Sequence, residues 1–367
     1  MNQNKLQLLS FAIIAIGYIL LLYTFFSYYF FDDLGFDFLG YSLRYNYAFD
    51  GWNNQLLQGV PTSLFDPFVP SILPLFFKLI GFGQATLPLT ISIFVLRALI
   101  PVIFYFIGKK LGASTHASLL AGVIFVLNPF TYRFLNRYYE LAGWFFFLIA
   151  FYFFLSVLKE KKMLSKDFLL AAIFTCLAAL SHLSIIIFLV PCFFFLARNL
   201  QEVKKTFFVL WSAFLLGSFW FIPFLFFQSQ SSVGSSKGYL LSTPGIFFAN
   251  IALLAILFFT FLTILFIFKK KNHVHSKQFL FFSGLTLAFG LFKFLAPWFP
   301  VISIPFTHSF NVFYVFAILA CWLWISSTKI FTQKHFLTVF LIFLLFFAAG
   351  FSRFTSQYFF EEPKLST

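Results

Sequence analysis

The stretch Phe168-Leu-Leu-Ala-Ala-Ile-Phe-Thr-Cys-Leu-Ala-Ala-Leu-Ser181-His182-Leu183-Ser184-Ile-Ile-Ile-Phe-Leu-Val-Pro-Cys-Phe-Phe-Phe-Leu-Ala197 decides the fold. It is longer than the roughly 20 apolar residues that one helix needs to cross a bilayer. Lys159, Lys161, Lys162 and Lys166 precede it, and Arg198, Lys204 and Lys205 follow it. Basic residues collect on the cytoplasmic side of membrane proteins, so both ends belong inside and the chain must turn back within the run. The only polar break is Ser181-His182-Leu183-Ser184. The reading is therefore two short helices whose apex lies within the membrane depth, enclosed by protein or facing a water-filled cavity.

The same logic extends outward. Of the 367 residues, 61% are hydrophobic, 24% aromatic and 10% charged, whereas soluble domains carry about 25% charged residues. An ordinary soluble enzyme is excluded. Apolar runs recur at Leu6–Phe31, Leu87–Ile107, Ser114–Leu127, Leu141–Leu158, Thr206–Phe227, Ile246–Phe268, Gln278–Ala296, Phe310–Ser326 and Phe336–Gly350. The first is too long for a signal-peptide core and lacks a small-residue cleavage site, so it reads as an uncleaved anchor. The expectation is a single all-α, polytopic transmembrane domain over residues 1–367, with about eleven transmembrane helices. Its amino terminus is inside, a large extracytoplasmic loop covers 32–86, and a short external tail covers 351–367.

Charge supports that threading. With it, 16 of the 25 basic residues fall inside: Lys5, Lys109, Lys110, the seven flanking the decisive run, Lys269, Lys270, Lys271, Lys277, Lys329 and Lys334. The net charge of +14 is then a by-product of many spans, and nothing resembles a nucleic-acid-binding face. Cys176, Cys192 and Cys321 sit in apolar runs, where they read as small buried hydrophobes. The location is the plasma membrane, with a lipid environment as the first partner. The 67 Phe residues suit a lipid-facing surface and carry no chemistry by themselves.

Eight of the 11 acids fall outside, five of them in the first external loop: Asp32, Asp33, Asp37, Asp50 and Asp66. Positive-inside sorting gives no reason for that bias, so function is one candidate reason. In this loop Phe38, Tyr45, Phe49, Trp52 and Leu56 recur at helical spacing and predict an amphipathic helix lying at the outer interface, ended by Gly59 and Pro61. An extended, Pro-punctuated segment follows, from Leu64 to Pro74. At about 100° per residue, Asp37, Tyr41 and Arg44 share a stripe beside the apolar face.

Carboxylates at the edge of a bilayer suit a transferase that takes a sugar from a lipid-phosphate donor. One carboxylate would deprotonate the acceptor hydroxyl and cations would hold the phosphate leaving group. Asp37 is the preferred base. Asp32 and Asp33 are read as support or as ligands of a divalent cation, Mg²⁺ or Mn²⁺. Arg133, Arg137 and His308 are candidates for the donor phosphate. Tyr41, Arg44, Arg97, Glu140, His182 and Lys293 are candidates for lining the same cavity. Arg97 lies mid-run, where a charge is costly and needs a partner or water.

Gly35-Phe-Asp37-Phe-Leu-Gly40-Tyr41, Leu57-Gln-Gly59-Val-Pro61, the Asp66–Pro74 stretch, Asn128-Pro129, Tyr138-Tyr-Glu140-Leu and Leu180-Ser-His182 together carry a resemblance. Over roughly residues 30–200 the chain resembles the GT-C class of membrane glycosyltransferases. Within that class it looks most like the archaeal and bacterial membrane family labelled 6-pyruvoyl-tetrahydropterin-synthase-related. The resemblance implies a polyprenyl-phosphate-linked sugar donor, a glycan, lipid or protein acceptor, an acid of the first external loop as base, and inversion at the anomeric carbon. Tyr41 stands where the family pattern has His, and His308 and Asn311 stand where an Arg is expected. Two other classes stay open. One is a lipid or small-molecule transporter or flippase, with Arg97 and Lys293 as pathway charges. The other is a non-catalytic membrane scaffold subunit.

Overall fold

The computed structural model describes residues 86–127, 138–160, 162–182 and 184–228 continuously, with short pieces at 52–53, 60–61, 72–73, 76–77, 79–80, 312, 315–316, 319–320 and 323. Among the described residues the protein is helical apart from one two-residue antiparallel ladder, β1 (Trp52–Asn53) with β2 (Val60–Pro61). The helices are α1 (Thr86–Leu111), α2 (Thr115–Leu127), α3 (Tyr138–Lys159), α4 (Lys166–Ser181), α5 (Ser184–Leu196) and α6 (Leu200–Gln228). Two of them, α1 over Ile91–Leu111 and α3 over Tyr138–Lys159, are long and apolar enough to cross a membrane.

The chain divides into two compact units, Met1–Phe106 with Phe134–Gly238, and Ile107–Arg133 with Tyr239–Thr367. In the second unit, α1 ends as its sequence dictates. Gly112 takes φ 80°, a left-handed conformation that an L side chain resists. Its N–H donates to Lys109 O at 3.1 Å and the Ala113 N–H to Gly108 O at 2.8 Å, a Schellman closure of the last carbonyls. Ser114 then opens α2, its Oγ accepting from the Ala117 N–H at 3.3 Å. Gly108 lies so close to Ser118 that an added Cβ would stand 2.5 Å from the serine Cβ. Further on, Val312, Val315, Phe316, Leu319 and Leu323 are buried at helical spacing, within the run expected over Phe310–Ser326.

The first unit holds the α3–α6 bundle. α3 packs along α4, and α6 packs on α4 as well. The core is aromatic: Trp144, Phe147, Phe151 and Phe154 of α3 are fully enclosed, and Phe154 stacks on Phe193 of α5 at 3.9 Å with planes 1° apart. Phe174 of α4 lies between Phe146 and Phe153 of α3, stacked on both. Phenylalanine therefore serves interhelical packing as well as the outer face, where Phe207, Phe208 and Phe219 of α6 are exposed. Cys176 and Cys192 are buried free thiols, as expected.

Caps explain the helix starts. Ser165 precedes α4 and accepts from the Phe168 N–H at 3.1 Å. Asn199 precedes α6 and accepts from the Glu202 N–H at 2.9 Å as an N-cap, while the Glu202 carboxylate reaches back to accept from the Arg198 N–H at 2.8 Å. At the opposite end of α3, the buried Lys205 ammonium of α6 donates to Val157 O at 3.1 Å and also to Glu160 O. A cation there satisfies terminal carbonyls and complements the negative end of the helix dipole.

The first external loop departs from expectation at two points. Trp52 does not continue an amphipathic helix: with Asn53 it pairs with Val60 and Pro61 in register Trp52↔Pro61, Asn53↔Val60. Trp and Val favour extended backbone, and Gly51 and Gly59 weaken any helix that would run between them. Helix appears instead at Ile72, Leu73, Phe76, Phe77 and Leu79, starting within the Pro-rich stretch expected to stay extended through Pro74 and continuing beyond it. There Ile72, Phe76, Leu79 and Ile80 are exposed at i, i+4, i+7 and i+8, an apolar stripe of the kind an interfacial helix presents.

Candidate functional site

α4 and α5 are the two short helices expected on either side of the polar break. With 16 and 13 residues they rise about 24 and 20 Å, each short of the roughly 30 Å hydrocarbon core. His182 ends α4 in extended conformation (φ −156°, ψ 106°), its N–H donating to Ala178 O at 3.0 Å. Its carbonyl accepts from the Ile185 N–H at 3.0 Å as α5 begins. Ser181, fully buried, turns its hydroxyl back to Leu177 O at 2.8 Å. The described backbone groups on either side of the break are thus bonded locally.

The apex meets the start of α3. His182 Nε2 lies 3.6 Å from Glu140 Oε1, with the histidine side chain 21% exposed and the glutamate 2%. The Tyr139 ring tilts over the imidazole at 5.2 Å and 40°. Gly143, one turn beyond Glu140, permits this approach: an added Cβ would collide with Ile185 Cδ1 and stand 3.1 Å from His182 Cβ and 3.4 Å from Ala178 O. A near-buried carboxylate beside an imidazole at a helix break can hydrogen-bond and orient a polar ligand that reaches the apex. The pair lies at the amino-terminal end of α3, whereas Lys159, Lys166, Arg198 and Lys205 mark the opposite end of the bundle.

Of the residues proposed from sequence, Glu140 and His182 are brought together. Arg97 is enclosed midway along α1, 2% exposed, as a mid-run cation requires. Asp32, Asp33, Asp37, Tyr41, Arg44, Arg133, Arg137, Lys293 and His308 lie outside the described residues. The divalent-cation reading at Asp32 and Asp33 lies there too; among the described residues, no three His, Cys, Asp or Glu side chains group as a metal site. Tyr139 and Gly143 were missed by sequence reasoning. The signal was present, because Gly143 is three residues beyond Glu140 on the same helical face, where the smallest residue admits the closest neighbour.

No family model matches the chain, and no curated protein matches it significantly.

Proposed function

We propose that the protein is a polytopic membrane glycosyltransferase of the GT-C class, with about eleven spans, acting on the extracytoplasmic face of the plasma membrane. The donor is a polyprenyl-phosphate-linked sugar. Asp37 takes the acceptor hydroxyl proton, the acceptor oxygen forms the new bond to the anomeric carbon, and the sugar–phosphate C–O bond breaks with its electron pair leaving on polyprenyl phosphate. Arg133, Arg137 and His308 hold the departing phosphate. Asp32 and Asp33 support the base or ligate a divalent cation. Tyr41, Arg44, Arg97, Glu140, His182 and Lys293 line the cavity.

The observation that supports this reading best is the Glu140–His182 pair, a titratable couple at the apex of two half-length helices, on the end of the bundle away from the lysines. Ionisable side chains enclosed between apolar helices are costly, which supports reading this pair as part of a site. The test is transfer from a radiolabelled polyprenyl-phosphate sugar by the purified protein. Asp37→Asn lowers turnover by about 10²–10⁴-fold, the usual share of a general base. Unchanged turnover in Asp37→Asn removes the base, and absence of transfer by the wild type across donors removes the enzyme.

The half-helix hairpin also favours a second reading, a transporter or lipid flippase, since broken helices at depth form transport sites. Proteoliposomes that move labelled lipid between leaflets without sugar transfer would select it.

A further inference from the structure

The lysine-bearing end of the α3–α6 bundle has a surface that the apex chemistry does not use. The Lys205 bonds to Val157 O and Glu160 O tie the start of α6 to the end of α3. They bring the α3–α4 loop and the α5–α6 linker to one end of the bundle. Lys162, Lys166 and Lys204 are exposed there. The nearby acids are less available: Glu160, Asp167 and Glu202 are half-buried, and the Glu202 carboxylate accepts from the Arg198 N–H and the Asn199 amide.

Apolar side chains are set between these cations. Leu164 is 80% exposed and Met163 39%, bracketed by Lys162 and Lys166, while Leu200 is 71% exposed one turn before Lys204. A single exposed leucine means little. Here apolar tips in the α3–α4 loop and at the first residue of α6 share one end of the bundle with the lysines. The pattern continues along α6, where Phe207, Phe208 and Trp211 are exposed three, four and seven residues beyond Lys204, on one helical face. Cations in register with an aromatic stripe match the headgroup and upper acyl levels of a leaflet.

We propose that this end of the bundle is a binding site for anionic phospholipid. Lys162, Lys166 and Lys204 take the headgroup phosphates, Leu164 and Leu200 enter the acyl boundary beside them, and the α6 aromatic stripe flanks the chains. The ligand is a diacyl lipid rather than a soluble phosphate because apolar tips alternate with the cations. The proposal rests on the membrane reading above and not on sugar transfer.

The test uses the full-length protein purified in neutral detergent, incubated with equal amounts of phosphatidylglycerol and phosphatidylcholine; retained lipid is quantified by mass spectrometry. Phosphatidylglycerol is retained about tenfold over phosphatidylcholine, a conservative share of what three lysines near a surface supply once screened. The preference falls at high salt, disappears in Lys162→Gln/Lys166→Gln/Lys204→Gln and persists in the triple Lys→Arg variant. Leu164→Ser/Leu200→Ser lowers retention with the charges intact. Equal retention of the two lipids by the wild type overturns the proposal, as does an unchanged preference in the triple Gln variant. So does full displacement by glycerophosphoglycerol, which would mark a soluble-anion site. Should the Gln variant fail to fold, the wild-type ratio and its salt dependence decide. None of these readouts involves a sugar, so the lipid site and the transferase reading fail separately.

Discussion

Lys205→Met tests whether a buried ammonium closes the end of α3. Lys205 is 4% exposed and donates to two carbonyls at the helix terminus, Val157 O at 3.1 Å and Glu160 O. Methionine keeps most of the stem and removes the charge. Losing hydrogen bonds from a charged donor costs about 1.5–3 kcal/mol, and losing the favourable dipole contact costs about 0.3–1 kcal/mol more. Relief of the ammonium's burial offsets part of this, and the net destabilisation is about 1–3 kcal/mol. At about 2–4 °C per kcal/mol, the apparent Tm falls by roughly 2–12 °C. The assay is intrinsic-fluorescence melting in detergent at fixed scan rate, with Lys204→Met as the internal comparison. Lys204 is the exposed neighbour, and its loss moves stability by no more than about 0.5 kcal/mol. Equal melting of the two variants would refute the capping role, because their chemical change is identical and only their placement differs.

Other expectations follow from the same bundle. Phe193→Ala, which removes the enclosed ring stacked on Phe154, destabilises by about 3–5 kcal/mol, whereas Phe194→Ala at the exposed neighbour costs under about 1 kcal/mol by the same melt. Gly143→Val drives a branched side chain into Ile185 and His182; it lowers Tm and, by shifting the apex on the order of 1 Å, reduces transfer by about 10²-fold. A melt and a transfer rate equal to wild type would show that the apex does not need this contact. Cysteines introduced at Ser235 and Ser276 in a cysteine-free background test sidedness with an impermeant thiol reagent: only the former labels in intact cells. Labelling of the latter without permeabilisation would invert the threading.

The most legible part of the fold was the hairpin. A run with cations at both ends and one polar break allows few solutions, and α4 ends at Ser181 and α5 begins at Ser184, on either side of that break. α3 was equally readable, since Leu141–Leu158 lies inside the helix that forms. Its first turn, Tyr138 to Glu140, was not counted as apolar because a carboxylate interrupts it, yet the meeting with His182 is what encloses that carboxylate. Pairing across 42 positions is set by tertiary packing, which periodicity does not carry. Lys205 was likewise hidden among lysines of identical chemistry: charge patterning assigned all of them to one side, while packing singled one out. Trp52 misled because aromatic spacing in the first loop fits a helix of period 3.6, whereas flanking glycines and β-favouring residues prevailed.

The Lys205 latch also bears on synthesis. Its acceptor at Val157 lies 48 residues upstream, so at roughly 5–20 residues per second about 2–10 s pass between making the end of α3 and making the lysine that closes it. During that interval α4 and α5 are produced and must turn back without the tether that later fixes their neighbours. Ser165, Ser181 and the His182 carbonyl supply local bonds for the reversal, and α3, already made, offers Glu140 to His182 and Phe154 to Phe193. The nascent hairpin therefore docks first on α3, and the Lys205 bonds close that end of α3 once α6 arrives.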